Sequence, residues 1–132
     1  MDERPERIGL GIAEKLREKF TDRCGVQTRK PRVLVVGMGF KKGQSTLSNS
    51  PGLKLLKTLH FTSEMDLTWA DSMVAQKDIN SVPRLPDHDW TPERLSAFDL
   101  VLVTFLQPNM DIQVLDHLPQ ETEVSWLGMR PN

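Results

Sequence analysis

Val33, Leu34, Val35 and Val36 stand in one unbroken run between Arg32 and Gly37. A strand with one solvated face alternates apolar and polar residues. A strand apolar at every position is covered on both sides, as in a parallel sheet layered with helices. From Ser50 the pattern changes: Ser50 can cap a helix, Pro51 suits its first position, and Leu53, Leu55, Leu56 and Leu59 recur at helical spacing. The unit from Arg32 to Leu59 therefore reads strand, loop, helix.

The loop holds glycines at 37, 39 and 43, the adjacent cations Lys41 and Lys42, and the hydroxyls of Ser45, Thr46, Ser48 and Ser50. Glycines let a ligand approach the backbone closely, lysines attract an anion, and free N–H groups at the start of a helix bind phosphate oxygens. A turn with two solvated lysines is the alternative. Neither common glycine fingerprint fits: a dinucleotide fingerprint from Gly37 needs a small residue at Lys42, and a P-loop needs Gly-Lys-Ser where Gly43-Gln44-Ser45 stands.

The same alternation runs on. Residues 3–22 carry Ile8, Ile12, Leu16 and Phe20 every fourth position and read as an amphipathic helix, weakened at Gly9 and Gly11 and stopped near Cys24-Gly25. Met65 to Ala70 alternates as a half-buried strand. Residues 71–90 are rich in proline and aspartate and read as loop, with a helical turn near Ser72 to Gln76. Thr91-Pro92-Glu93 starts a short helix through Leu95, and Leu100 to Phe105 is a second doubly buried strand. A helix from Asn109 or Asp111 carries Ile112, Leu115 and Leu118 and ends at Pro119, and Val124 to Leu127 is a last strand. Strand and helix thus alternate about four times. This predicts a three-layer, Rossmann-like α/β domain over 31–132, with a parallel sheet of about four to six strands, helices on both faces and an N-terminal helix within 1–30. Ligands of such sheets bind beyond the carboxyl ends of the strands, where the loop from Gly37 to Ser50 lies.

Gly37-x-Gly39-Phe40-Lys41, seven residues, then Asn49-Ser50-Pro51 and a leucine-rich helix resembles the C-terminal, UDP-binding domain of the UDP-glucose/GDP-mannose dehydrogenases, with the same spacing from phenylalanine to proline. Looser similarity continues to about residue 127. The resemblance implies that Phe40 and Lys41 contact a UDP-sugar or related nucleotide, and that Arg130, offset by about a residue, stands near the arginine that holds the uracil-ribose end. Gly37, Gly39, Lys42 and Ser50 would form the phosphate-facing loop. Ser48 falls where the family places an arginine that reaches NAD, and Thr46 and Asn49 replace acidic residues. NAD, the cofactor of the whole family enzyme, is therefore not expected to bind tightly to this chain alone. Residues 1–30 resemble the end of the family's central dimerisation helix, which implies a homodimer or burial against the domain itself. The function implied is the sugar-nucleotide-binding part of a 6-dehydrogenase that needs an N-terminal half for catalysis. The alternative is a free-standing binding or regulatory module that kept the fold and lost the cofactor contacts.

Among 132 residues, 17 basic and 18 acidic side chains are interspersed, which excludes a nucleic-acid stripe. The longest apolar run falls far short of the roughly 20 residues that cross a bilayer. Met1 to Arg4 does not read as a signal peptide, and the single cysteine suits a reducing compartment, so a cytoplasmic location is expected. Cys24 lacks the glycine-rich context of the family's nucleophile and is expected to be packed and inert. His60, His88 and His117 lack metal-ligand spacing, so no metal site is expected. Asp87, His88 and Asp89 read as a solvated acidic loop, and Trp69, Trp90 and Trp126 as core.

Overall fold

The computed structural model describes residues 5–26, 29–38, 51–62, 65–104, 106 and 110–126. Four strands form one sheet: β1 (Arg32–Val36), β2 (Asp66–Ala70), β3 (Leu100–Val103) and β4 (Glu123–Trp126). Their spatial order is β2-β1-β3-β4 and every pairing is parallel. Four α-helices accompany them among the described residues: α1 (Pro5–Lys19), α2 (Pro51–Thr62), α3 (Pro92–Leu95) and α4 (Gln113–Asp116).

The two doubly apolar runs explain the layering. Val33, Val35, Leu100 and Leu102 point to one face and join Ala13 and Leu16 of α1 with Leu55, Leu56 and Leu59 of α2. Leu34, Val36, Val101 and Val103 point to the other and join Leu95 of α3 and Leu115 of α4. The domain is therefore a three-layer α/β sandwich of the Rossmann-like kind.

α1 packs Ala13 and Leu16 into the core on this face of the sheet and lies against α2. The two glycines of α1 differ. A methyl on Gly9 would meet Thr58 Cγ2 at 2.9 Å, so Gly9 permits the close crossing of α1 over α2, whereas a methyl on Gly11 would meet nothing within 4 Å. Gly11→Ala removes backbone freedom from the unfolded chain without a clash, and we expect it to raise stability by about 0.5–1 kcal/mol in urea denaturation. Gly9→Ala lowers it.

Several local readings are corrected. The helical turn expected near Ser72 to Gln76 is instead a 3-10 turn at Gln76–Asp78, and a second lies at Asp87–Asp89. α1 ends at Lys19, and Gly25, at φ 81, serves a later turn in which the Asp22 carboxylate accepts from the backbone N–H groups of Cys24 and Val26. Cys24 is exposed rather than packed. α4 is a single turn, although Ile112, Leu115 and Leu118 all reach the second core. Trp69 is fully buried, while Trp90 and Trp126 are partly buried against that core.

At the amino end of the sheet, Arg29 Nη1 and Nη2 donate to the two oxygens of Asp99 at 2.8 and 2.6 Å, and Arg32 N–H adds a third bond at 2.8 Å. The Arg29 hydrogen bonds hold the Asp99 carboxyl below its usual range against the opposing effect of burial, with Arg32 N–H and the Arg29 charge adding to the fall. A carboxyl depressed by folding contributes stability above its unfolded value, near about 3.9, and that contribution disappears as pH falls through the folded value. Asp99→Asn should therefore cost about 1 kcal/mol at neutral pH. The urea midpoints of the two proteins should converge below about pH 4.

Candidate functional site

In a sheet of order β2-β1-β3-β4 the chain leaves β1 toward β2 on one side and returns to β3 on the other. The crevice at the carboxyl ends of β1 and β3 is the switch point where ligands of open α/β sheets bind. Three features converge there. Gly37 follows β1 at φ 94, a conformation that strains any residue with a side chain. Thr104, directly after β3, places its hydroxyl 2.7 Å from the Gly37 carbonyl oxygen and 3.0 Å from that of Val36. Gly52, in the first turn of α2, lies so close that an added Cβ would sit 1.8 Å from the Gly37 oxygen and 3.1 Å from Thr104 Oγ1. Helix α2 therefore begins on the switch point itself.

Asp71 fixes the crevice from the β2 side. It is 1% exposed, and its Oδ2 accepts from Met38 N–H at 2.8 Å while its Oδ1 accepts from Met73 N–H at 2.8 Å. One carboxylate thus ties the exit of β1 to the exit of β2. The ladder supports this: Gly37 N–H donates to Ala70 O at 2.9 Å, and Thr104 N–H to Val36 O at 3.0 Å.

The segment after β2 is organised by Trp69 and Arg84. Trp69 N–H donates to Pro83 O at 3.1 Å and Leu85 N–H donates to Trp69 O at 2.7 Å, so residues 83–85 run along the outer edge of β2. That strap covers an edge that would otherwise offer open pairing groups. The Trp69 indole N–H points to Ile79 O and Val82 O, at 3.2 and 3.0 Å. The Arg84 guanidinium donates to the carbonyls of Val74 and Asp71 and to Asp87 Oδ1. Asp87 is thereby paired, while His88 is 84% exposed.

Of the sequence-predicted site residues, Gly37 is described and lies at the switch point. Gly39, Phe40, Lys41, Lys42, Ser48, Ser50 and Arg130 lie outside the described residues. Sequence reasoning missed Thr104, Gly52 and Asp71 as site-building residues. A glycine directly after a helix-starting proline was the available signal for Gly52, because a helical glycine costs about 1 kcal/mol unless close packing demands it. No group of three or more His, Cys, Asp or Glu side chains among the described residues could hold a metal ion. No described helix is long and apolar enough to cross a membrane. No protein-family model, curated protein or solved structure matches the chain.

Proposed function

We propose that this chain is the sugar-nucleotide-binding unit of a nucleotide-sugar 6-dehydrogenase of the UDP-glucose/GDP-mannose type, and that it holds the nucleotide's diphosphate at the exit of β1. The observation that carries the reading is the meeting of Gly37, Thr104 and Gly52 at the switch point. There the start of a 12-residue helix abuts the strand exit that leads into the lysine-bearing loop. Backbone N–H groups and the positive end of α2 favour an anion at that point, and Lys41 and Lys42 follow Gly37 closely in the chain. Phe40 supplies an apolar wall, Lys41 a point charge for phosphate or a donor to a sugar hydroxyl, and Arg130 a contact to the uridine end.

In a whole enzyme of this class NAD accepts hydride as the C6 hydroxymethyl becomes a carboxylate. Thr46, Ser48 and Asn49 offer no charge to a pyrophosphate, so the reading assigns this chain no part in holding NAD and places catalysis with an N-terminal half in the cytoplasm. The same neutral residues favour a second reading, a non-catalytic binding or regulatory module on the same fold.

Calorimetric titration with UDP-glucose, UDP, GDP-mannose and NAD tests the proposal. A uridine nucleotide should bind, Lys41→Ala should weaken it about tenfold, near 1.4 kcal/mol, and NAD should give no heat. Uridine nucleotide binding unaffected by Lys41→Ala would move the site elsewhere. Absence of binding to a folded sample would refute nucleotide recognition by this chain and favour the module reading.

A further inference from the structure

The outer face of α2 has a composition that the domain itself does not explain. In its 12 residues the helix carries Lys54, Lys57 and His60 and no acidic side chain. All three are exposed, and so is Phe61, which is 88% exposed. Lys54, Lys57 and Phe61 stand at i, i+3 and i+7, so they share one stripe, opposite Leu55, Leu56 and Leu59, which enter the core.

Each of these features is unfavourable in the isolated domain. Like charges at i, i+3 on a helix repel. The helix dipole favours a cation near the carboxyl end, which accounts for His60 but not for Lys54. Among the described residues neither lysine meets a carboxylate, whereas Arg29 and Arg84 are paired with Asp99 and Asp87. A phenyl ring left in water forgoes the gain of burial. Leu10, beside the Gly9 over which α1 crosses Thr58 of α2, adds a second apolar side chain that is 56% exposed. The outer face of α1 otherwise mixes signs, with Glu14 and Glu18 exposed among Arg7, Lys15 and Arg17, so the positive character belongs to α2.

A lone ring flanked by two like charges is a knob rather than a groove. Its complement is a protein surface with an apolar pocket for the ring and carboxylates at the rim for the lysines. Aromatic anchors seated in such pockets carry much of the energy of protein interfaces, and rim charges steer the encounter. A second copy meeting this face across a two-fold axis would set lysines against lysines. An anionic bilayer is recognised by clusters of about four to eight basic residues, more than this stripe offers.

We propose that the outer face of α2 docks a partner protein that presents an apolar pocket rimmed by carboxylates, with Phe61 as the anchor and Lys54 and Lys57 as its charged flank. This does not rest on the nucleotide reading. The full chain with photoreactive benzoylphenylalanine at position 61, irradiated in an extract of the source cells, should give a protein adduct that the same probe at position 93, on the opposite layer, does not give. Capture alone does not count. The purified partner should bind at least about tenfold more weakly to Phe61→Ser, and equally so to the double variant Lys54→Glu, Lys57→Glu, near 1.4 kcal/mol in each case. Replacing a partner carboxylate at the cross-link by lysine should restore binding to the double variant. These are surface changes and should melt within about 2 °C of wild type, which separates loss of binding from loss of fold. No adduct above the position 93 control, an adduct only with a second copy, or a partner whose affinity ignores these variants would overturn the proposal. So would binding to phosphatidylserine vesicles that the same variants abolish, which would make the face a membrane contact.

Discussion

Gly52→Ala is expected to destabilise the domain by about 3 kcal/mol or more, the upper end of what overpacking costs. The added Cβ would stand 1.8 Å from the Gly37 carbonyl oxygen and 3.0 Å from its carbon, and both atoms are backbone. A flexible side chain could swing away, but this carbonyl cannot, because Gly37 N–H is bonded to Ala70 O and Gly37 O receives the Thr104 hydroxyl. Relief therefore requires α2 to lift off the sheet, which opens the core around Leu55, Leu56 and Leu59. A midpoint fall of roughly 10–15 °C in thermal unfolding follows for a domain of this size. If the protein stays folded, the start of α2 has moved from the switch point, and the proposed nucleotide binding should fall with it. A midpoint within about 2 °C of wild type would show that the close approach is not required.

Trp69→Ala should cost about 3–5 kcal/mol, the usual range for removing a fully buried large aromatic. Trp69 is 0% exposed in the core under α2, and Arg84 lies 5.7 Å from its ring centroid. Its indole N–H also serves the carbonyls of Ile79 and Val82, which Gln76 Nε2 reaches as well at 2.7 and 3.0 Å. Trp69→Phe keeps most of the apolar volume and leaves those carbonyls with Gln76, so its cost should be smaller, about 1–2 kcal/mol. Urea denaturation of the pair separates packing from hydrogen bonding. Limited proteolysis should cut Trp69→Ala first within residues 71–90, because the backbone bonds of the 83–85 strap depend on the position of Trp69.

Of these two residues the sequence reveals only Trp69, as core, and not the close approach of Gly52. Val33 to Val36 and Leu100 to Val103 announce themselves as doubly buried strands because both pleat faces are apolar, and the parallel sheet with helices on either side follows from them. The fourfold spacing of Ile8, Ile12 and Leu16 likewise foretells α1. The segment after β2 does not announce its structure. Its prolines and aspartates mark it as loop, but the pairing of Leu85 with Trp69 and the reach of Arg84 to the Asp71 carbonyl are set by tertiary contact, not by local propensity. The bond from Met38 to Asp71 spans 33 residues, and no periodicity records it. Gly37 is legible because loop glycines let a ligand approach the backbone and because it opens the Gly37-x-Gly39-Phe40-Lys41 motif, whereas Thr104 looks like any threonine after a strand. The shortness of α4 has a local cause: Pro119 follows closely, and Ile112 at its start has no side-chain acceptor for the first N–H groups, a task that falls to Asp111.

The groove at the opposite, amino end of the sheet provides the internal control for any binding experiment. It encloses ≈ 390 Å³ between α1 and β3, with Ile12, Leu16, Leu100 and Leu102 beside Lys15, Lys19, Glu18, Asp99 and Glu123. It would be the natural rival if a ligand were attracted by the size and apolar walls of a groove alone. The distinction between the two ends of the sheet is the central claim. Backbone amide shift mapping with UDP tests it most directly. The account predicts the largest shifts at Gly37, Met38, Gly52, Leu53 and Thr104, with Ile12, Lys19 and Leu100 unmoved. Shifts centred on Lys19, Leu100 and Glu123, with Gly37 and Gly52 silent, would contradict it.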